Sequence, residues 1–215
     1  MKKILFNDKF GLTQAVLDGR KTMTRRICKY NRPDKTYDIV FPVFEPSDYD
    51  NDGNIVSPLN YAFGWRNDKG DFTDWNIPKY KVGEVVAIAQ SYGDCGNMPD
   101  YELDEDGYPI MPKRSGFFNK MFVRADLMPH HIRITNIKIE RLQDISDEDC
   151  LKEGIYKGQC GSADTHFMDA YYYKGDIQPY CTPREAFAAL IDKVSGRGTW
   201  NNNPYVFAYE FELID

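Results

Sequence analysis

At 215 residues and a net charge of −6, the chain can bury roughly 70% of the surface its unfolded form exposes, and it is too acidic to be a general basic coat for nucleic acid. Its five cysteines are odd in number and show no C-x-x-C spacing, which argues against a disulfide framework and for a reducing, cytoplasmic compartment. The apolar run Ile4-Leu5-Phe6 stops at Asn7 and no segment approaches about 18 apolar residues, so neither a secretory leader nor a membrane span is expected.

Ile4 to Phe6 reads as a short strand. Phe10, Leu12, Val16 and Leu17 then recur at near-helical spacing, with Asn7 or Asp8 as N-cap and Gly19 as the stop. A strand is predicted over 22–28. Residues 30–78 hold Asn, Asp, Gly and Pro clusters around short aromatic runs and read as a hairpin-rich insertion. The turn at 81–84 feeds an apolar strand over 85–90, predicted to be buried on both faces, and a polar loop follows from Ser91 to Gly116. Residues 121–125 are a short strand candidate. Residues 131–140 alternate, with a change of parity near Asn136 that predicts a bulge. Ser146 opens a short helix that closes at Glu153-Gly154. Thr182-Pro183-Arg184-Glu185 starts a longer one, with a threonine cap, an early proline and a glutamate three residues on. The last segment alternates clearly from Tyr205 to Leu213. Strands outnumber helices, so the expected class is α+β, built on a small barrel.

Charge is unevenly spread. Between Gly19 and Pro33 there are six cations and no acid, whereas 45–76 carries seven acids and 100–106 five. A long polyanion needs a continuous basic track, which the acidic blocks would interrupt. A site for one nucleotide or one short single-stranded element fits better. Within the basic stretch, Gly19-Arg20-Lys21-Thr22-Met23-Thr24-Arg25-Arg26 combines four cations with two hydroxyls. It reads either as a pocket floor, with Lys21 and Thr24 facing a ligand and Arg25 or Arg26 holding something anionic, or as a solvated edge strand. Period-two alternation separates Lys21 from Thr24 unless the chain is still turning at Arg20-Lys21.

Other constellations carry less. Cys160, Asp164, His166 and Cys181 could form a zinc quartet if their loop folded back, but the spacing matches no known finger, and buried thiols with a loop histidine are the plainer reading. His130 and His131 are adjacent on a strand and cannot both face one pocket. Gly196-Arg197-Gly198 lacks the third glycine of a dinucleotide fingerprint, and no Walker loop is present. No metal, cofactor or DNA-specific motif is expected. Aromatic residues make up 14% of the chain; Trp200, set in a loop, is the best candidate among them for stacking a base.

Gly19-x-Lys21-x-x-Thr24-x-Arg26 resembles the G-x-K-x-x-T-x-R signature of the ASCH (activating signal cointegrator homology) family of PUA-like barrels. The order of features around it is also similar to larger bacterial and phage members: Lys81-Val82-Gly83-Glu84 before a strand, the stretch 139–146 leading to Glu153-Gly154-Ile155, and Trp200-x-x-Asn203-Pro204 before the last strand. The resemblance implies one PUA-like domain over 1–215, a small β-barrel with flanking helices and insertions at about 30–78 and 91–116. It further implies a basic cleft for RNA or a modified nucleoside, with Gly19, Arg20, Arg25, Arg26 and Trp200 as ligand contacts. Small bacterial members are amidohydrolases acting on N4-acetylcytidine, and their catalytic lysine, threonine and glutamate correspond to Lys21, Thr24 and Glu153. This chain departs from the larger members at Gln90-Ser91-Tyr92, where they carry Arg-Glu-x-Trp. Threonine becomes nucleophilic only when a neighbour takes its proton, and a lysine does so only if burial or nearby cations lower its pKa. If Glu153 instead keeps Lys21 charged, the pair is a clamp, and the protein is a non-catalytic RNA-binding or protein-interaction module.

Overall fold

A computed structural model describes residues 1–42, 61–96, 102–110, 116–162 and 165–215. Glu45, Asp48, Asp50 and Asp52 of the first acidic block, Asp100 of the second and Asp164 of the zinc reading lie outside the described residues.

In chain order the elements are β1 (Lys2–Ile4), α1 (Leu12–Leu17), β2 (Met23–Ile27), β3 (Tyr37–Val40), β4 (Gly64–Asn67), β5 (Val85–Ile88), α2 (Tyr92–Cys95), β6 (Glu102–Leu103), β7 (Pro109–Ile110), β8 (His131–Arg141), α3 (Asp147–Lys152), β9 (Tyr156–Ser162), β10 (Thr165–Tyr172), α4 (Pro183–Ser195), α5 (Thr199–Asn202) and β11 (Tyr205–Leu213). The class is α+β. Five strands form the main sheet in the order β1-β5-β8-β11-β2, with β1 parallel to β5 and the other pairs antiparallel. The ladder does not run on from β2 to β1, so the sheet is not the closed barrel expected from sequence. The two edges nevertheless approach: the Arg26 guanidinium on β2 donates to the Leu5 carbonyl just past β1, at 2.7 Å.

Sheet position follows from side-chain chemistry. On β5, Val86, Ala87 and Ile88 are fully buried, as befits a strand covered on both faces. β8 and β11 share a long register that slips between Glu210 and Phe211, leaving Thr135 as the extra residue beside Asn136, where the parity change had predicted a bulge. The insertion folds as β3 paired with β4, continued by bridges Phe63–Asn76 and Arg66–Phe72. Its Phe63 and Trp65 reach the main core, where Phe63 lies 5.6 Å from Tyr205 and 5.8 Å from Phe207 between ring centroids. Aromatic pairs at such spacings prefer edge or tilted contact.

The helices obey their caps. Thr182 accepts the Glu185 N–H at 3.1 Å with Pro183 in the first turn, and α4 buries Ala186, Phe187, Leu190 and Ile191 on one stripe. Asn7 caps a single 3-10 turn (Asp8–Phe10) rather than α1, because Gly11 breaks the path at φ 60° and α1 restarts at Leu12. Residues 121–125 are not a strand. The segment forms two 3-10 turns, Lys120–Phe122 and Ala125–Leu127, because Asn119 caps the first and Val123 drops into a satellite core with Tyr92 and Phe117. The β9–β10 hairpin was not foreseen. Among the described residues no helix is long and apolar enough to cross a membrane.

Candidate functional site

The basic stretch follows α1 through a turn that only its backbone can explain. Gly19 adopts φ 70°, a left-handed conformation that costs glycine little. The Lys21 N–H then donates back to the Ala15 carbonyl at 2.8 Å, and the Thr22 N–H donates to the Lys152 carbonyl at the end of α3. The chain is therefore still turning at Lys21, the condition under which Lys21 and Thr24 can face the same space. They do: both line a pocket of about 750 Å³ together with Glu153, Arg25 and Arg26.

α3 supplies the acid. Ser146 caps its start, accepting the Asp149 N–H at 3.1 Å, and Glu153 is its last helical-geometry residue before Gly154 turns at φ 104°. A Cβ on Gly154 would come within 3.3 Å of Leu12 Cδ2 and 3.8 Å of Lys21 Cδ, so the glycine also makes room for the lysine stem. The Lys21 ammonium directs all three N–H groups at protein oxygens: Glu153 Oε2 at 2.6 Å, the Glu153 carbonyl at 2.8 Å and the Met23 carbonyl at 2.7 Å. A cation on a free helix C-terminal carbonyl satisfies an orphan acceptor and meets the negative end of the helix dipole. Lys21 is 2% exposed and Glu153 5%. Burial lowers the Lys21 pKa from its ordinary value; the Glu153 carboxylate opposes this, and the Arg26 and Arg25 charges add to it.

Arg25 departs from expectation. Its guanidinium is wholly enclosed, with Nε on Glu140 at 2.8 Å, Nη2 on Asp149 at 2.9 Å and on Glu140 at 2.7 Å, and Nη1 on Glu153 at 3.2 Å and on the Met23 sulfur at 3.0 Å. Four of its five N–H donors are thus hydrogen-bonded, and the second Nη2–Glu140 contact is an ion pair to the same carboxylate. Burial works against its charge, but Glu153 and Glu140 prevail and the pKa rises. Arg25 is thus a strut that fixes Glu153 against β8 and α3 while it also lines the pocket. Arg26 is the opposite case. It gives one N–H to Leu5, lies over the Phe6 ring at 5.9 Å, and forms no ion pair among the described residues. The Thr24 hydroxyl likewise has no hydrogen-bond partner among the described residues, although the residue is only 5% exposed.

The other expected contacts lie outside the pocket. Gly19 makes the turn, and Arg20 points to Asp18 at 2.9 Å on the surface. Trp200 sits on α5 rather than in a loop, edge-on to Phe187 at 6.2 Å and under the Arg184 guanidinium at 5.4 Å, so its ring is occupied. Cys160 and His166 fall on the β9–β10 hairpin, and no group of three or more metal-ligating side chains occurs among the described residues.

Three contributors to the pocket wall were missed. Phe118, 88% exposed, and Met121 stand at its mouth, while Lys120 reaches Asp8 at 2.7 Å and also donates to the Phe6 carbonyl. The aromatic doublet Phe117-Phe118 after Gly116 was the available signal. α4 closes the other side with Phe187, Leu190, Ile191 and Val194. The result is a cleft of mixed lining, apolar side chains together with convergent charged and polar groups, within the size range of a small-molecule site. No family model matches the chain, and no curated protein or solved structure matches it.

Proposed function

We propose that the pocket binds a modified nucleoside derived from RNA, of the N4-acylated cytidine type that the ASCH resemblance implies, and hydrolyses its amide. The observation that carries this reading is that Lys21, Thr24 and Glu153, all largely buried, line one cleft that also carries the exposed Phe118 ring. Phe118 offers a face for the base, a contact worth about 1–3 kcal/mol in single-stranded nucleic-acid sites. The curled sheet, its edges linked by Arg26, and the five free cysteines support the PUA-like and cytoplasmic parts of the reading.

The chemistry runs through the ion pair. As drawn, the ammonium has no lone pair to offer, so a proton first passes from Lys21 Nζ to Glu153 Oε2 across their 2.6 Å contact. Burial, which lowers the Lys21 pKa, brings the free amine within reach. The free amine takes the Thr24 proton as Oγ1 attacks the amide carbon. Collapse of the tetrahedral intermediate breaks the C–N bond, and the Glu153 carboxylic acid protonates the departing cytosine amine. The pair is then back in its charged form, so a second proton transfer from Nζ to Oε2 frees the amine again. The amine takes a proton from water as the water oxygen adds to the threonyl ester, and collapse releases the acyl group as its acid while Glu153 returns a proton to Thr24 Oγ1. Arg26, without a carboxylate partner among the described residues, would offset the oxyanion.

One observation favours a binding-only alternative: the resting ammonium is saturated by three acceptors, an arrangement that suits a fixed clamp. Incubating the protein with N4-acetylcytidine decides. Release of cytidine and acetate, abolished in Thr24→Val and Lys21→Met, supports the hydrolase. Binding without turnover leaves the clamp, and absence of both refutes the nucleoside reading.

A further inference from the structure

A second cavity, of about 520 Å³, adjoins the first and shares Leu5, Arg26 and Ile27 with it as a common wall. We infer that the ligand is held within a strand rather than as a free nucleoside, with its phosphodiester on Arg26 and the neighbouring nucleotide in this second cavity. The inference rests on the reading of the first pocket given above.

Arg26 stands between the two spaces. Its charge acts on the Lys21 amine in one and on the Tyr80 phenol in the other. With one N–H on Leu5 and no carboxylate partner among the described residues, its remaining donors are available to an anion shared by both cavities. A guanidinium fork suits two phosphodiester oxygens.

The second cavity has the make-up of a nucleotide subsite. Trp75 and Tyr30 supply aromatic surface; the Trp75 ring meets Phe72 in an edge contact at 4.8 Å but still lines the cavity, and its indole N–H has no acceptor among the described residues. Trp75 is set by an unusual backbone: Asp74, before it, sits at φ 99°, in the region that favours glycine. That conformation costs of order 1–3 kcal/mol and persists only when surroundings enforce it. Here the Asp74 carboxylate accepts the Trp75 N–H at 2.8 Å and the Tyr30 hydroxyl at 3.2 Å. Cations join the rings. Lys29 lies 4.6 Å over Tyr30 and Lys79 5.4 Å over Tyr80, neither forms an ion pair among the described residues, and Asp74 is the one acid in the lining. Planar aromatic surface with three cations, Arg26, Lys29 and Lys79, against one acid is the pattern that binds single-stranded nucleic acid through stacking and phosphate contact. An acidic peptide would use the cations and leave the rings idle.

Calorimetric titration of the full chain with cytidine, cytidine 5′-monophosphate, the dinucleotide cytidylyl-cytidine and tripolyphosphate tests this. The dinucleotide should bind about 10- to 100-fold more tightly than the monophosphate, the gain expected from one added stacked base, and Trp75→Ala should erase that gain while leaving cytidine binding unchanged. The inference is overturned if the dinucleotide shows no gain, if the gain survives in Trp75→Ala, or if tripolyphosphate binds as tightly as the dinucleotide. Should Trp75→Ala melt early, the four ligands on the unaltered protein decide alone. Cytidine bound without a dinucleotide gain sinks only this inference; no binding of any nucleoside sinks the proposed function with it.

Discussion

Replacing Lys21 by methionine isolates the charge at the centre of the site, because methionine keeps much of the stem volume and removes the ammonium. Glu153 would then retain only Arg25 Nη1, at 3.2 Å, as a cationic partner, and two backbone carbonyls would lose their donor. Truncating one member of a buried ion pair costs about 3–5 kcal/mol. Arg25 offsets part of this, so we expect a loss of about 3–4 kcal/mol at pH 7, and the volume-conserving swap adds less than about 1.5. In a domain of this size that lowers the melting temperature by about 6–16 °C. Equilibrium urea unfolding gives the free energy directly. The double variant Lys21→Met/Glu153→Leu removes both charges and should be more stable than the sum of the single changes by at least about 1.5 kcal/mol. A Lys21→Met loss below about 1 kcal/mol, or an additive double variant, would show that the carboxylate is hydrated and that the cleft is not dry enough to shift the lysine.

The same lysine gives a pH signature. Its folded pKa lies below the 10.5 of an ordinary lysine, so the folded state binds fewer protons between those two values and stability rises with pH across that window; that rise should be absent in Lys21→Met when unfolding of the two proteins is compared across pH 6 to 10. Opposing it, Cys28 and Cys150 are pushed up to about 12 from 9.0, and Tyr80 and Tyr209 to about 12 from 10.0, all by burial; the unfolded chain releases these protons first, so stability falls above about pH 9 in both proteins. Gly154→Ala forces a side chain into φ 104° and against Leu12, and should cost about 1–3 kcal/mol in urea unfolding and weaken nucleoside binding. Phe63→Ala removes a ring that contacts Trp65, Tyr205 and Phe207 and should cost about 3–5 kcal/mol; a loss under 1 kcal/mol would mean that the β3–β4 insertion is not docked on the core.

Local signals were read correctly where the chemistry is local. Thr182-Pro183-x-Glu185 specifies its helix start within one turn, and the parity change near Asn136 marks the bulge because side-chain direction alternates residue by residue. The convergence of Lys21 with Thr24 was legible only as a condition, since it depends on a turn that Gly19 permits but does not require. What was missed is non-local. Glu140 and Asp149 lie more than 110 residues from Arg25, so nothing near the arginine signals that its donors are taken. Phe118 and Lys120 reach the cleft because their loop lies against the chain after β1, and Trp200 lost its open face to Phe187 and Arg184 of the preceding helix α4. Whether a sheet closes is equally non-local: each strand was recognisable, but which two stay unpaired depends on the path of the whole chain.

That unpaired border has a mechanical consequence. Leu5 and Phe6 follow one free edge strand, and Met23 to Ile27 make up the other with Lys21 just before it, so the candidate cavity lies along the gap where a barrel would have placed its final backbone rungs. A guest seated there acts as the missing rung, joining two margins otherwise clasped by one guanidinium. Occupancy and rigidity are then one event: at a hundredfold excess over its Kd, such a guest adds about 2.7 kcal/mol to folding, concentrated in amides flanking the gap.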